Sequence, residues 1–572
     1  MMKKILAVAL CMLLAMSAIA CAETYSAEAN GNNGPVKVAV TIEDGKIVAV
    51  DVVEHAETAG VSDRAIETIP VAIVENQSVA VDTVTGATNS SNAILTAVRD
   101  AIAQAGLDVA AFETAVTASA DAGEQELTAD VVIIGAGGAG LVAAITADEL
   151  GSSVIVIEKM AFSGGNTILS GGYYNAVDPT RQQMSGVEDS VEQHIQQTWE
   201  GGDKVADLEL VTKLCSEATD GLLWLESLGM KFKPAITTAT GALWPRSHKA
   251  ILPDGTGYLD VYHNVLADTD VQICYEVKAN EIVMEDGKAV GVKAVGNDGT
   301  QYTFNANKGV ILATGGFGSN IEMRQAYNTI WPTLDESVKS SNTVAATGDG
   351  IVMAQAVGAN LVGMEYIQLH PLGNPATGTF SGVTTGDVEY YLQFNKEGKR
   401  YIAEDSRRDE LCKAALEQTD GLMWQVSDTC VGSAAAAPAA VAAGYAVVAD
   451  TLEELAELMG VDPEVFVSEI NAYNEAVDTG VDPLGRSILT HKIETAPFYA
   501  SLRCTTVHHT MGGVQINTEA QVIDVNGEII PNLYAAGEVT GGIHGGNRLG
   551  GNALADTVVY GRTAGRNAAN AE

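Results

Sequence analysis

The tightest constraint on this 572-residue chain begins at Ala129. A short apolar run (residues 129–134) leads directly into Gly135-Ala136-Gly137-Gly138-Ala139-Gly140. A helical stretch follows, and then a second apolar run (residues 154–157) that ends on Glu158. In this spacing the first glycine makes a tight turn, the second lets backbone approach a pyrophosphate, and the third lets helix lie close on strand. Glu158 is placed to accept hydrogen bonds from a ribose hydroxyl. The segment therefore commits much of the chain to a β-α-β core with a parallel sheet and a dinucleotide site. The glycine spacing does not separate FAD from NAD.

The formal charge is −41, from 73 acidic and 32 basic side chains. Such a surface repels nucleic-acid phosphates and anionic lipid, which excludes both as expected partners, but it allows a small anion in a local basic pocket. Residues 1–22 read as a leader peptide. Lys3 and Lys4 start it, residues 5–19 are apolar, and Ala20-Cys21-Ala22 is a small-residue exit. The apolar run is shorter than the roughly 20 residues of a membrane span. Cleavage after Ala22 would release the chain, whereas cleavage before Cys21 would leave a lipidated cysteine, and Ala18-Ile19-Ala20 resembles a lipobox without its leading Leu. The lipid-anchored form is slightly favoured. With no twin-arginine signal, export by the Sec route is expected, to an extracellular or cell-surface location, with cofactors added outside. The later cysteines, Cys215, Cys274, Cys412, Cys430 and Cys504, are scattered without any Cys-x-x-Cys. Neither a disulfide framework, a metal site nor covalent c-type haem is expected.

Between the leader and Ala129, residues 36–42 and 47–53 alternate as strands around a turn at Asp44-Gly45. A helix is predicted over residues 63–75. The string Asp82-Thr83-Val84-Thr85-Gly86-Ala87-Thr88 then runs into a second helix ending near residue 105. Thr88 precedes that helix, where free N–H groups and the helix dipole favour a phosphate. Residues 109–127 are small, polar and acidic, as in a linker. Together with His55-Ala56-Glu57-Thr58-Ala59-Gly60, the Asp82-to-Thr88 string resembles the FMN-binding domain in which a dedicated flavin transferase joins FMN to a threonine. The resemblance implies that Thr88 carries covalent FMN.

Further glycine strings select FAD for the second site: Gly164-Gly165-Asn166-Thr167, Ala313-Thr314-Gly315-Gly316, Thr347-Gly348-Asp349-Gly350 and Gly537-Glu538. In this order they resemble the fumarate reductase and succinate dehydrogenase flavoprotein family, above all its soluble exported fumarate reductases. The implied fold class is α/β. An α+β FMN-binding domain (23–108) and a linker (109–127) precede a Rossmann-like FAD-binding domain in two parts (128–365 and 504–572), with an inserted α+β capping domain (366–503). Non-covalent FAD would be held by Gly135, Gly137, Gly140, Glu158, Gly165, Asn166, Thr167, Gly315, Asp349, Glu538 and Asn552, with the active site in the cleft under the cap.

The stretch from His508 to Ala553 holds three histidines and an arginine among glycines. A guanidinium fork beside an imidazole suits a carboxylate, because it donates two parallel hydrogen bonds. By resemblance, His508 and Arg548 bind a substrate carboxylate, His370 in Gln368-Leu369-His370-Pro371 is a third ligand, and Arg408 is the general acid. The family places a Thr-Glu pair beyond the His-Pro to hold a second carboxylate and feed protons to the acid. This chain has Val383-Thr384-Thr385-Gly386-Asp387-Val388-Glu389-Tyr390 there. Thr384 and Thr385 are the expected substrate ligands, and Asp387 or Glu389 the substitute proton feed. Tyr173-Tyr174, Trp244 and Tyr390-Tyr391 are either an aromatic wall or core.

The implied activity is an extracytoplasmic reductase of the C=C bond of an α,β-unsaturated carboxylate. Its FMN would relay electrons to FAD from a quinol- or flavin-linked donor in the membrane or outside the cell, in anaerobic respiration. Fumarate leads as a single substrate, and itaconate, cinnamates and urocanate together outweigh it. Urocanate reductases of the family carry Tyr at the His370 position. A steroid-type dehydrogenase and a pure flavin electron carrier are the competing classes.

Overall fold

The computed structural model describes residues 22–32, 34–57, 61–84, 87–113, 123–429, 434 and 437–572. The leader through Cys21, residues 58–60 and 85–86 of the two FMN-type strings, residues 114–122 of the linker and Cys430 lie outside the described residues. The chain divides into two compact units, Met1–Ser119 and Ala120–Glu572.

The first unit is a three-stranded antiparallel sheet, in chain order Glu23–Asn30, Pro35–Glu43 and Lys46–Glu54, with helices Asp63–Asn76 and Thr88–Gln104 packed on it. Val36, Val38 and Val40 are fully buried, so the period-two pattern turns one face to the core. Asp44 and Gly45 both take positive φ, as a two-residue hairpin turn of this hand requires. Helix Thr88–Gln104 answers with Ile94, Ala97, Val98, Ala101 and Ile102, spaced three and four apart and fully buried. The first strand has no counterpart among the predicted elements, because its burial alternates only between exposed and half-buried, with too weak an apolar pattern to register.

The predicted linker is shorter than its composition suggests. A 3-10 helix, Val109–Phe112, is capped by Asp108 and buries Phe112, whose carbonyl accepts the Val79 N–H at 2.7 Å. At the other end the nucleotide-binding strand starts at Glu124, five residues before the apolar run. Glu124, Gln125 and Glu126 pair in parallel register with Gln301, Tyr302 and Thr303. Backbone pairing, which polar side chains do not oppose, extends the strand there.

The second unit is built on an eight-stranded sheet. Its main path runs Gln521–Ile523, Ile529–Ala535, Gln301–Leu312, Glu124–Ile134, Val154–Ile157, Gln272–Cys274. The last four contacts along that path are parallel. Helix Gly138–Glu149 is apolar nearly all round because it lies between this sheet and helix Asn552–Ala569. This is the Rossmann-like architecture expected from the glycine motif.

A second, five-stranded antiparallel sheet forms the cap region. Strand Phe498–Thr510 pairs with Ile367–Gly373, Leu422–Ser427 and Ala446–Ala449, and Leu392–Phe394 adds to the edge. Strand Phe498–Thr510 continues across the expected boundary at residue 503. His509 and Thr510 still pair with Gln368 and Ile367 in this sheet, while the Thr510 N–H bonds Glu538 of the dinucleotide-binding part. A buried charge cluster stiffens the cap. Arg400 bonds Glu404 and Asp482 at 2.7 Å each, and Arg486 bonds Glu404 at 3.1 Å. Arg486 also donates to the carbonyls of Val388 and Tyr391, which pins the segment carrying Asp387 and Glu389.

Candidate active site

One elongated cleft in the second unit runs from the glycine loop to the arginine and histidine residues. At the nucleotide end, Gly135 takes φ +103°, and a side chain there would collide with the Ala313 carbonyl. A Cβ on Gly140 would fall 1.9 Å from the Gly135 carbonyl oxygen, so helix and turn close only over glycine. The space beside Gly137 and Gly315, by contrast, is empty to 4 Å, leaving backbone open toward the cleft as a pyrophosphate needs. Buried Glu158 accepts the N–H groups of Ala136 and Met160 at 2.8 Å each, and burial raises its carboxyl above the usual range.

Thr167 accepts the Gly138 N–H, tying the Gly165–Ile168 turn to the first loop. Asn166 donates to Asn342 and Glu538 and accepts from the Thr343 N–H. Glu538 accepts from the Thr510 N–H at 3.0 Å, and burial raises its carboxyl. Asp349 lines the cleft, held by Lys159 at 2.7 Å. Lys159 and Lys278 also line the cleft and were not anticipated, although Lys159 directly follows Glu158.

One expected cofactor residue is corrected. The Asn552 side chain is fully buried between Asn175, His194 and Thr198, which use its oxygen and nitrogen. Its neighbours Gly551 and Ala553 line the cleft in its place.

At the other end, adjacent antiparallel strands bring His370 and His508 together, with ring centroids 4.9 Å apart. His370 Nδ1 accepts the Leu372 N–H, which leaves Nε2 as the donor of a neutral ring. His508 Nδ1 lies 2.8 Å from the Ser341 hydroxyl. Burial, then Arg408 and Arg548, hold His370 well below the ordinary imidazole value. His508 is lowered likewise, by burial, then His370 and the two arginines. Both rings are therefore neutral at pH 7.

Arg408 opens helix Arg408–Leu416 and is 6% exposed; Arg548 is 3% exposed. Their hydrogen bonds go to neutral oxygens. Arg408 donates to the Thr240 carbonyl at 2.8 Å and to Gln368 Oε1 at 3.1 Å, and Arg548 donates to the Leu549 carbonyl at 3.2 Å. Among the described residues, Arg548 Nε has no partner. Burial lowers both guanidinium groups, Arg408 well down and Arg548 to about 10. Two buried cations facing one cleft form a site for an anion, since a buried charge is costly until it is paired. Gln368, not singled out from sequence beyond its place before His370, bridges them. Its amide nitrogen donates to the Arg548 carbonyl and its oxygen accepts from Arg408.

Thr384, Thr385 and His370 do not line the cleft; His370 packs on His508 and Phe380, which do. The Thr384 hydroxyl donates to Gln425, and the Thr385 hydroxyl accepts the Asp387 N–H. Neither expected proton feed bonds Arg408. Asp387 pairs with Lys249 at 2.9 Å, and Glu389 accepts from the Thr237 hydroxyl and the Thr238 N–H at 2.8 Å each. Of the candidate aromatic residues only Tyr173 lines the cleft. Tyr174 is core, Trp244 donates to the Glu188 carbonyl, Tyr391 bonds Thr240, and Tyr390 packs on His491. Phe380, which sequence reasoning missed, packs tilted on His370 and edge-on to His508, with ring centroids 4.6 Å and 5.2 Å apart.

In the first unit, Thr88 is exposed as the first residue of its helix, and the residue at the N-cap, Ala87, has no side chain able to cap it. Buried Glu57 bonds the Ser90 hydroxyl and the Asn32 N–H, which joins the two FMN-type strings at the helix start.

Residues 130–554 match the FAD binding domain family, and residues 31–103 match the FMN-binding domain family. The chain is 37% identical to an NADH:acrylate oxidoreductase of Vibrio harveyi over 96% of its own length, but spans only 61% of that protein. It is 37% identical to a urocanate reductase of Eggerthella lenta, covering 96% of this chain and 92% of the relative. A solved flavocytochrome c3 fumarate reductase in an open conformation superposes with a TM-score of 0.61 at 36% identity, over 77% of this chain and 78% of that one. The chain binds FAD and FMN through these two domains and belongs to the fumarate reductase-like family of flavin-dependent oxidoreductases.

Proposed function

We propose that this protein reduces the C=C bond of an α,β-unsaturated carboxylic acid. The observation that carries this reading is the buried pair Arg408 and Arg548, bonded only to neutral oxygens and facing the same cleft as His508. Reduced FAD, when bound, supplies the hydride. Arg548 takes the substrate carboxylate with His508, against which His370 packs, and this withdraws electron density from the double bond. Arg408 donates the proton to the α carbon, and solvent restores it, so two electrons and two protons saturate the bond. Its lowered affinity for the proton suits that task better than an exposed arginine would.

FMN, joined to Thr88 by a flavin transferase, relays electrons from a quinol- or flavin-linked donor. The protein works outside the cytoplasm in anaerobic respiration. The exposed Thr88 at a helix end whose N-cap is Ala87 supports the attachment, and the leader sequence supports export. Anaerobic assay of the flavin-loaded protein with reduced viologen, against a panel of unsaturated acids, tests the reading. Dye oxidation coupled to formation of the saturated acid is expected. Dye that stays reduced with every acid would overturn it, in favour of a carrier or a dehydrogenase.

A further inference from the structure

The cleft that holds the cationic pair is also lined by two rings, Tyr173 and Phe380, the latter packed on the histidines. Behind Tyr173 stands Lys249, delivered by strand pairing, since Tyr173 and Lys249 face each other in a two-stranded antiparallel ladder. The Lys249 ammonium lies 4.7 Å from the Tyr173 ring centroid, donates to its hydroxyl at 2.8 Å, and meets Asp387 at 2.9 Å. Asp387 is itself held in place. Its N–H bonds the Thr385 hydroxyl, and Arg486 clamps the carbonyls of the next residue and of Tyr391.

The charges at this end can be assigned one by one. Arg548 and Arg408 are cations, Glu538 and Asp556 act on Arg548, Glu389 stands beside Asp387, and the two histidines are neutral. Lys249 and Asp387 cancel each other. Arg548 is committed to one carboxylate and Arg408 to the proton, so no cation is left over for a second carboxylate. The hydroxyls of Thr384 and Thr385 are turned to Gln425 and to backbone. A second carboxylate would lie against aromatic rings, with the Asp387 carboxylate close behind.

We propose that this pocket selects a monoanionic unsaturated acid, whose uncharged far end lies on the Tyr173 ring, and that Asp387 enforces the choice by masking Lys249. The inference rests on the reductase reading and names its substrate class. Burying a charge without a partner costs about 2–5 kcal/mol at such sites, which corresponds to a preference of roughly 30-fold to several-thousand-fold.

The test measures kcat/KM for acrylate, cinnamate and fumarate with reduced viologen, using the full flavin-loaded protein and its Asp387→Asn variant. The unaltered protein should favour at least one of the two monoacids over fumarate by about 100-fold or more. In Asp387→Asn the freed Lys249 charge should raise the fumarate value and shrink that ratio at least about tenfold. A preference for fumarate in the unaltered protein would overturn the proposal, as would a ratio unmoved in a folded Asp387→Asn protein that keeps its flavin absorbance. If that variant fails to fold, the ratio of the unaltered protein decides alone. If no acid of either kind oxidises the dye, the reductase reading fails, and the proposal with it.

Discussion

Arg408→Ala isolates the proton step. In the intact protein the guanidinium makes two hydrogen bonds, to the Thr240 carbonyl at 2.8 Å and to Gln368 Oε1 at 3.1 Å, both buried. Truncation removes the cation proposed to give the proton, while Arg548 and His508 are left to hold the substrate. A positioned general acid is worth about 10²–10⁴ in rate, or roughly 2.7–5.4 kcal/mol of barrier. Leaving two buried acceptors unsatisfied costs about 1–3 kcal/mol each, offset by no longer burying a charge beside Arg548. The loss should therefore fall on kcat, with a small stability change and unchanged flavin absorbance. Steady-state kinetics with reduced viologen, paired with a flavin spectrum and a melting curve, measures this. A variant whose kcat stays within about threefold of the unaltered protein would refute the assignment of Arg408, since a positioned general acid typically contributes about 10²–10⁴ in rate.

Three other outcomes are expected. Glu158→Ala leaves the N–H groups of Ala136 and Met160 without an acceptor and removes the expected ribose contact, so FAD retention on gel filtration should weaken about 10–100-fold. Thr88→Ala, coexpressed with the flavin transferase, should lose one FMN from its intact mass while keeping FAD; an adduct that persists would assign another residue. Burial pushes His248 down to about 4. The unfolded chain therefore binds a proton that the folded one refuses between about pH 6.5 and 4, and stability falls there as pH falls, by about 1.4 kcal/mol per unit for this group. His248→Gln should flatten that part of the pH–stability curve, and an unchanged slope would show that other groups set it.

Much of this molecule was legible in the sequence because its signals are local. The roles of Gly135, Gly140 and Glu158 follow from spacing along a few adjacent residues, and the hairpin at Asp44-Gly45 from one dipeptide. His508 and Arg548 stood out because charged and imidazole side chains among glycines have few structural reasons to be there. What spacing did not convey was the direction of side chains. Thr384 and Thr385 occur in the expected loop, yet Gln425 and the Asp387 backbone take their hydroxyls. Asn552 follows a glycine run that lines the cleft, but its amide turns inward to Asn175. Gln368 and the Lys249–Tyr173 contact depend on strands and helices meeting across 40 to 180 residues of chain, as the Gln368 bonds to Arg408 and Arg548 show. Register, not composition, creates such contacts.

The most direct measurement of the central claim is a single turnover. The protein, with both flavins reduced by light and free of dye, is mixed anaerobically with an excess of acrylate or cinnamate while flavin absorbance is followed. Rapid reoxidation is expected, with one saturated acid formed for each two electrons withdrawn from the flavins. Flavins that stay reduced, or that reoxidise without saturated product, would contradict the claim that Arg408, Arg548 and the two histidines form a C=C reductase.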